Sequence, residues 1–231
     1  AIGRLALQDQ NYGTSTDALN VAVGFEAGKN ITSGVENVTV GGSSGDSLQD
    51  ADFNVSLGAY ALRSDTLGSH SVAVGHNALY TQNFTTATSS YNTAVGSSAG
   101  LSVTTGVSND IFGGLAADAL TVGSFNSVFG RSALSADTKG SHSVAVGHAA
   151  LANQNFTTAT DAYNVAVGSQ AGNDVTTGDR NTLIGGLAGD ALNTGAANVA
   201  VGYEALSADT KGSSNVAVGR SALAAQNFTT G

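Results

Sequence analysis

The sequence contains no cysteine, proline, methionine or tryptophan. Without cysteine the chain can form neither disulfides nor thiolate metal sites. Charged residues make up 11% of its 231 positions and aromatic residues 6%, whereas about 25% charged residues is usual in globular domains. Because both large core side chains and charged surface residues are scarce, the composition argues against an ordinary globular domain.

The net charge of −9 disfavours nucleic acid and anionic membrane surfaces as partners, because both carry negative charge themselves. No run of about 18 apolar residues is present, and the first residues show no signal-peptide pattern. We therefore expect no nucleic-acid partner and no membrane insertion in this segment. The chain begins and ends in mid-repeat, so we expect it to be a segment of a longer protein.

Glycine is abundant, with 31 residues, and much of it is periodic. A pentapeptide resembling Asn-Val-Ala-Val-Gly recurs every 17 residues, and every fourth interval is lengthened to 21. Ile2-Gly3 has the spacing expected of the end of a further copy. The glycines that close the twelve complete pentapeptides are Gly24, Gly41, Gly58, Gly75, Gly96, Gly113, Gly130, Gly147, Gly168, Gly185, Gly202 and Gly219.

A longer period of 72 residues is superimposed on the 17-residue repeat. The sequence SHSVAVG occurs at 69–75 and at 141–147, and QNFTTAT occurs at 82–88 and at 154–160. A diverged copy of the second motif lies at 10–19, and another begins at 226–230. We interpret 1–231 as one repeat domain with super-repeats at approximately 20–91, 92–163 and 164–231.

Each 17-residue unit has the pattern of a short strand followed by turns. The alternation in Val21-Ala22-Val23 is typical of a strand, and the invariant fifth glycine indicates a positive φ. Three residues later stands alanine in eleven units and Ser44 in the other. A second glycine near the unit end indicates another turn. One unit therefore reads as strand, turn, short strand, turn.

Such a unit cannot bury its own apolar face, whereas stacked copies can. The sequence thus predicts an all-β fold, a β-solenoid or β-roll of about 13 coils, with coils about 4.8 Å apart and twelve of them spanning on the order of 58 Å. Each coil offers about two valines, an alanine and sometimes a leucine for burial. Burying these few side chains gives less free energy than the conformational entropy of ordering 17 residues costs. The shortfall favours several chains sharing one core.

Two further positions follow the 72-residue period and distinguish four coil types. We infer that such differences between coils penalise a slip of one coil in register; duplication of a 72-residue segment is the alternative origin of the pattern. The ninth position reads Gly28, Gly45, Leu62, Leu79, Gly100, Ala117, Leu134, Leu151, Gly172, Gly189, Leu206, Leu223. The twelfth reads Ile31, Leu48, Asp65, then Val103, Leu120, Asp137, then Val175, Leu192, Asp209.

The pentapeptide Asn-[Val/Thr]-Ala-Val-Gly, followed three residues on by Ala-Leu or Ala-Gly, resembles the head repeats of YadA-type trimeric autotransporter adhesins. It is closer still to the 17-residue variant in phage tail fibres. The segments 92–96 and 198–202, the latter followed by Ala205-Leu206, match best. The resemblance covers almost the whole chain. It implies a homotrimer, a β-roll in each chain, and a role in adhesion or fibre building.

No residue pattern points to catalysis or to a cofactor. Asp65, Asp137 and Asp209 recur at loop positions, where we expect solvated carboxylates rather than the acid–base pair of a glycosidase. The histidines His70, His76, His142 and His148 could bind a metal or anion, but the third super-repeat has Ser214 and Arg220 in their place. Aspartate spacing matches no calcium loop, and the glycine-rich turns lack the lysine of a phosphate loop. We predict no catalytic residues, no cofactor and no metal.

The four-residue insertion is the best candidate for a contact surface. It places an aromatic residue and several hydroxyls on a loop once per super-repeat. Either its phenylalanine contacts a glycan or a partner chain, or the ring tucks back onto the local core, which is the alternative we favour. The residues concerned are Phe84, Tyr91, Phe156, Tyr163 and Phe228.

The sequence favours a non-enzymatic, structural segment, the shaft or head of a phage tail fibre or bacterial surface adhesin. Its expected place is extracellular, on a virion or a cell surface, with a glycan or protein receptor as partner. A self-assembling extracellular filament is one alternative. A monomeric ice- or glycan-binding solenoid is another, although Gln49 and Asn193 interrupt its one threonine column. That column is Thr32, Thr66, Thr104, Thr121, Thr138, Thr176 and Thr210.

Overall fold

A computed structural model of the chain describes residues 1–13 and 16–229, so Thr230 and Gly231 of the last super-repeat and residues 14 and 15 lie outside the described part. This part contains sixteen short strands and no helix. The strands are β1 (Val21–Val23), β2 (Val38–Val40), β3 (Val55–Leu57), β4 (Gly68–Ser69), β5 (Val72–Val74), β6 (Thr88–Ser89), β7 (Thr93–Val95), β8 (Asp110–Phe112), β9 (Ser127–Phe129), β10 (Gly140–Ser141), β11 (Val144–Val146), β12 (Thr160–Asp161), β13 (Val165–Val167), β14 (Thr182–Ile184), β15 (Val199–Val201) and β16 (Val216–Val218).

Twelve of these strands form one parallel sheet in chain order, omitting only β4, β6, β10 and β12. Each strand pairs with the equivalent residues of the next pentapeptide, so Val21 is opposite Val38 and Val199 is opposite Val216. Ile2 makes an isolated parallel bridge to Val23, at the position that the spacing of Ile2-Gly3 predicts for a further coil. The chain is therefore a parallel β-solenoid of about twelve turns, as the 17-residue period predicts.

The middle residue of each strand, and not its valines, points into the solenoid. Ala22, Ala73, Ala94 and their equivalents are fully buried, whereas the strand residues on either side are half-buried or exposed. The expectation that two valines per coil fill the chain's own core is wrong. The interior beside the sheet admits mainly small side chains, because it is also occupied by the alanine column three residues after each glycine.

Among the described residues, the predicted second short strand is present only next to the insertions. There β4 pairs with β6, and β10 pairs with β12. In the segment after each glycine, alternate residues have positive φ, as do Tyr60 and Leu62. Their N–H groups point in opposite directions along the stack: Tyr60 donates to Gly42 O and Leu62 to Ala78 O. The coils thus exchange backbone hydrogen bonds without forming a strand.

The pentapeptide glycines occupy a backbone conformation that other residues rarely adopt. Gly113 has φ +136°, and a Cβ added to it would lie 2.6 Å from the backbone carbonyl group of Gly130 in the next coil. The other eleven glycines at this position also have φ between +124° and +146°. Glycine is required here both by the dihedral angle and by the close approach of the next coil.

The ninth and twelfth positions compensate each other in volume. Where the twelfth residue is large and apolar the ninth is small: a Cβ on Gly45 would approach Leu48 Cδ1 to 2.9 Å. Where the twelfth residue is polar, as at Asp65 and Gln82, the ninth is leucine, Leu62 and Leu79. The four coil types therefore fill the interior in four different ways, and all these side chains are buried.

A column of buried asparagines forms one edge of the interior. In the middle of the stack, Asn109 Oδ1 accepts the backbone N–H of Asn126, and Asn109 Nδ2 donates to Gly123 O at 3.0 Å. The same bonds recur for Asn181, which accepts from Asn198 and donates to Gly195 O. Each side chain thereby links its own coil to the next and satisfies backbone groups that the turn leaves unpaired.

Candidate functional site

The outward face of the twelve-stranded sheet carries a continuous row of apolar side chains. The third residue of every strand points outward and is apolar in all twelve coils; we call this set the apolar column. Phe129 and Ile184 in it are 40% and 39% exposed. The column comprises Val23, Val40, Leu57, Val74, Val95, Phe112, Phe129, Val146, Val167, Ile184, Val201 and Val218.

The first residue of each strand also points outward, but this second column is not uniformly apolar. It is valine in eight coils and threonine at Thr182. In three successive coils it is polar, with Thr93, Asp110 and Ser127. Asp110 is exposed. The outward face is therefore apolar along its whole length on one side and has a polar interruption in the middle of the other side.

Stacked aromatic rings border that second column. His70 lies between Phe53 and Tyr91, with ring centroids 4.9 Å and 5.0 Å apart. One super-repeat later His142 lies between Phe125 and Tyr163, at 5.0 Å from each. Tyr91 and Tyr163, both predicted contact residues, are 58% and 53% exposed. We call these two sets of three rings the aromatic stacks.

All six residues of the aromatic stacks stand two positions before a strand and have positive φ, which turns their side chains outward in register. In the second stack, His142 Nδ1 lies 3.2 Å from Asp161 Oδ1. In the first, Ser89 stands at the equivalent position, and His70 Nδ1 is buried without a hydrogen-bond partner among the described residues. The sequence patterns indicated these histidines and tyrosines as candidates but not their phenylalanine neighbours.

The phenylalanines of the insertions lie inside the solenoid where another coil covers them. Phe84 and Phe156 are only 6% exposed, and their backbone N–H groups donate to Asp65 and Asp137. They are not available for contact with a receptor or a partner chain, in agreement with the alternative that we favour. Phe228 belongs to the last described coil and is 51% exposed. The exposed part of each insertion is the threonine-rich loop that follows the phenylalanine.

The expectation of solvated carboxylates at Asp65 and Asp137 is wrong, because both are fully buried. Asp65 accepts hydrogen bonds from the N–H groups of Gly68 and Phe84 and from Gln82 Nε2. These donors compensate for the lost hydration of the carboxylate. Asp209 makes the equivalent bonds and is also buried. These aspartates therefore have structural hydrogen-bond partners in their own coil and in the next.

Burial raises the pKa of three half-buried aspartates. Burial raises the pKa of Asp118 and of Asp190, and in both side chains Oδ1 is buried with no hydrogen-bond partner among the described residues. Burial also raises the pKa of Asp46, against the opposing effect of Arg63. Over the described residues there is no group of three or more His, Cys, Asp or Glu side chains placed to hold a metal ion.

Six of the seven threonines of the threonine column, all except Thr32, donate their hydroxyl groups to the next coil. Thr138 Oγ1 donates to Phe156 O, and Thr176 Oγ1 lies 2.9 Å from Asn193 Oδ1. This column borders a shallow polar groove of about 900 Å³ that includes Asn153, Asp174 and Lys211. No aromatic residue lines the groove. Hydroxyl groups already bonded along the stack are poorly arranged for the ordered lattice contacts of an ice-binding face.

Comparison with known proteins adds no assignment. No protein-family model matches the chain, and neither does any curated protein or solved structure. No helix in the described part of the chain is long and apolar enough to cross a membrane. The resemblance to adhesin heads and tail fibres therefore stays a prediction from the sequence motif.

Proposed function

We propose that the chain is a structural segment of an extracellular fibre in which three copies associate through the apolar column. The observation that carries the proposal is the continuity of that column, which is apolar in every coil. Isolated exposed apolar residues are common on protein surfaces, but a continuous apolar strip is typical of an interface.

The length of the apolar column suits an interface with further copies of the chain. Twelve coils span on the order of 58 Å, and the outward face is about 10 Å wide, so the whole face covers on the order of 600 Å², of which the apolar column is one side. A typical stable interface takes ~800 Å² from each partner, so contact with two neighbours is favoured over contact with one. A second copy of the same chain is the natural occupant, because its own column has the same length and the same coil spacing.

Three copies rather than two follow from the resemblance to trimeric adhesin heads, and a threefold arrangement lets each chain bury its column against two neighbours at once. The differing coil types give a reason for one register: Phe112 and Phe129 stack at 4.8 Å, and these two successive coils are the ones in which the apolar column carries aromatic rings. A register slip sets these rings against smaller side chains.

The proposed role is mechanical and adhesive, not catalytic. Parallel coils linked by hydrogen bonds at every level make a stiff rod, which suits the shaft or head of a phage tail fibre or a bacterial surface adhesin. Such a rod holds receptor-binding surfaces at a fixed distance from the particle or cell. Its expected receptor is a glycan or protein on the target surface.

Light scattering on the purified chain tests the association. We expect a mass near three times 22.7 kDa, and a monomer contradicts the proposal. A mass that grows with time and concentration indicates the alternative, a filament. Val146→Glu with Val167→Glu places charges in the middle of the apolar column and is expected to give monomers. Ala159→Glu adds a charge to an exposed insertion loop and is expected to leave the mass unchanged.

A further inference from the structure

The two aromatic stacks lie on one line and are separated by a single missing ring. Tyr91 ends the first stack and Phe125 begins the second, with only Ser108 between them in the column. Backbone hydrogen bonds keep the three residues in register: Ser108 N donates to Ser90 O and Phe125 N to Val107 O. Two coil spacings therefore separate the rings of Tyr91 and Phe125, about 9.6 Å.

This gap is the right size for one six-membered ring. A ring midway lies about 4.8 Å from each wall, within the ~4.5–7 Å range of stacked ring centroids and close to the 4.9 Å and 5.0 Å spacings within the first stack. We call this gap the ring slot. Its walls are Tyr91 and Phe125 and its floor is Ser108; both walls are more than half exposed.

The polar interruption of the outward face lies beside the ring slot. Thr93, Asp110 and Ser127 follow Tyr91, Ser108 and Phe125 by two residues in their respective coils, so they occupy the same three levels. Of the three coils before these levels and the three after them, five have valine in that column and the sixth has threonine. Hydroxyl and carboxylate groups thus replace apolar side chains next to the only gap between the stacks in the described chain.

We propose that the ring slot binds one pyranose ring of a neutral glycan. The C–H faces of a pyranose stack on aromatic rings, while its hydroxyl groups at the ring edge need hydrogen-bond partners. The Asp110 carboxylate can accept from two neighbouring hydroxyls, and the hydroxyl groups of Ser108, Thr93 and Ser127 can donate or accept. An apolar aromatic ligand can form no hydrogen bonds with these four groups.

The negative charge at and around the ring slot favours neutral sugars over acidic ones. The chain carries a net charge of −9, and Asp110 lies at the slot itself, so a glycan with carboxylate or sulfate groups is repelled. The proposal gives a receptor site to the fibre proposed above. It does not depend on trimer formation, because one chain supplies all the residues of the slot.

The second stack provides an internal comparison. After Tyr163 the column continues with Arg180, Ala197 and Ser214, so Tyr163 has no aromatic wall facing it. A tyrosine at the end of a stack is thus present twice, but a slot with two walls is present once in the described chain. Binding that requires the slot must therefore distinguish Tyr91 from Tyr163.

Ser108→Phe is a direct test, because it fills the slot with the ring that the column lacks. Ser108 has φ 55°, and phenylalanine already occupies the same conformation at Phe53, with φ 59°, and Phe125, with φ 61°. The substitution is therefore expected to fold and to join the two stacks. Ser214→Phe is the matched control, since Ser214 has φ 60° in the same column but no aromatic neighbours.

The experiment is an array of neutral and acidic oligosaccharides, followed by calorimetric titration of the best-bound neutral one. We expect neutral glycans to bind the unmodified chain and Ser214→Phe equally. Affinity is expected to fall about tenfold or more in Ser108→Phe and in the double variant Tyr91→Ala, Phe125→Ala. Tyr163→Ala is expected to bind normally.

The proposal is overturned if no neutral glycan binds, if only acidic glycans bind, or if Ser108→Phe binds as well as the unmodified chain. Light scattering on the same samples separates this result from the fibre proposal. A trimer that binds no neutral glycan contradicts only the proposal of the ring slot. A monomer that binds glycan through the slot contradicts only the proposal of trimer formation.

Discussion

Nε2 of Gln82 lies 2.6 Å from Oδ2 of Asp65 in the preceding coil, and both side chains are fully buried. The same Nε2 contacts Ser71 Oγ at 2.7 Å, while Gln82 Oε1 accepts from Asn92 Nδ2 at 2.9 Å. Ser71 stands where most coils have asparagine, so the glutamine supplies the acceptor that the serine lacks. The insertion is thus accommodated without leaving the asparagine column unpaired.

Replacing this glutamine should destabilise the stack strongly. Gln82→Ala removes one buried hydrogen-bond partner from each of Asp65, Ser71 and Asn92, and an unmet buried polar group costs about 1–3 kcal/mol. We expect a loss of at least about 2 kcal/mol in the free energy of unfolding, measured by urea denaturation. Gln226→Ala is the control, because Gln226 is only part-buried. A loss as large in Gln226→Ala contradicts the argument.

Two adjacent glycines should differ sharply in their tolerance of alanine. Gly113→Ala puts a Cβ 2.6 Å from backbone atoms of Gly130 at φ +136°, whereas a Cβ on Gly114 meets nothing closer than Ser97 O at 3.8 Å. We expect Gly113→Ala to cost more than about 3 kcal/mol or to prevent folding, and Gly114→Ala to stay within about 0.5 kcal/mol. Circular dichroism during heating measures both, and equal effects argue against a left-handed turn at Gly113.

The coil length and the positions of the turns could be predicted from sequence because they depend on glycine, whose conformational role is specific. The direction in which the valine side chains point could not be predicted. In a three-residue strand with apolar residues at both ends, alternation shows that Val21 and Val23 share a face, but not whether that face is the chain's own interior. An interface between chains is apolar too. The serine and threonine at the middle positions Ser56 and Thr39, both buried, show that the interior tolerates small side chains of either polarity.

Burial of Asp65 escaped prediction for a different reason. A recurring aspartate before a threonine has the local pattern of a solvated turn. Only one of the donors to Asp65, Gly68, is local, and the other two, Gln82 and Phe84, belong to the next coil. The aromatic stacks, in contrast, leave a signal in the sequence. Phe53, His70 and Tyr91 are separated by one regular and one lengthened coil, so aligning the sequence by coil places them in one column.

As the pH falls, we expect the last described coil, which is held by hydrogen bonds to Asp209, to be destabilised first. Burial by itself raises the pKa of Asp209, but hydrogen bonds from Gln226 and from the N–H groups of Gly212, Phe228 and Lys211 outweigh it, so the pKa lies below its usual value. A depressed folded-state pKa means that the carboxylate stabilises the fold above its unfolded-state pKa of about 3.9 and that this stabilisation disappears as the pH falls through the folded value.

Amide hydrogen exchange measures this effect at Lys211, whose N–H donates to Phe228 O at 3.0 Å. We expect its protection to be constant from neutral pH down to about pH 5 and to fall below about pH 4, after correction for intrinsic exchange. In Asp209→Asn the protection should be lower at neutral pH and no longer depend on acid. Protection that is unchanged in acid in the unmodified chain contradicts the assignment.

The effect of acid on stability should have the opposite sign at Asp190 to that at Asp209. Its Oδ1 is buried without a hydrogen-bond partner among the described residues, and burial, with smaller effects of Asp174 and Glu204, raises its pKa. A raised folded-state pKa means that the charged form costs stability at neutral pH, and that this cost disappears as the pH falls from the folded value toward about 3.9.

Asp190→Ser, which copies Ser207 from the next coil, should therefore raise the unfolding temperature at pH 7 and give a smaller gain at pH 4. Asp174→Ser should give a much smaller gain, because it removes only the repulsion from an exposed charge and also loses the hydrogen bond from Asn153. A gain for Asp190→Ser that is equal at both pH values means that the cost of Asp190 is steric, since only a charge effect is removed by protonation.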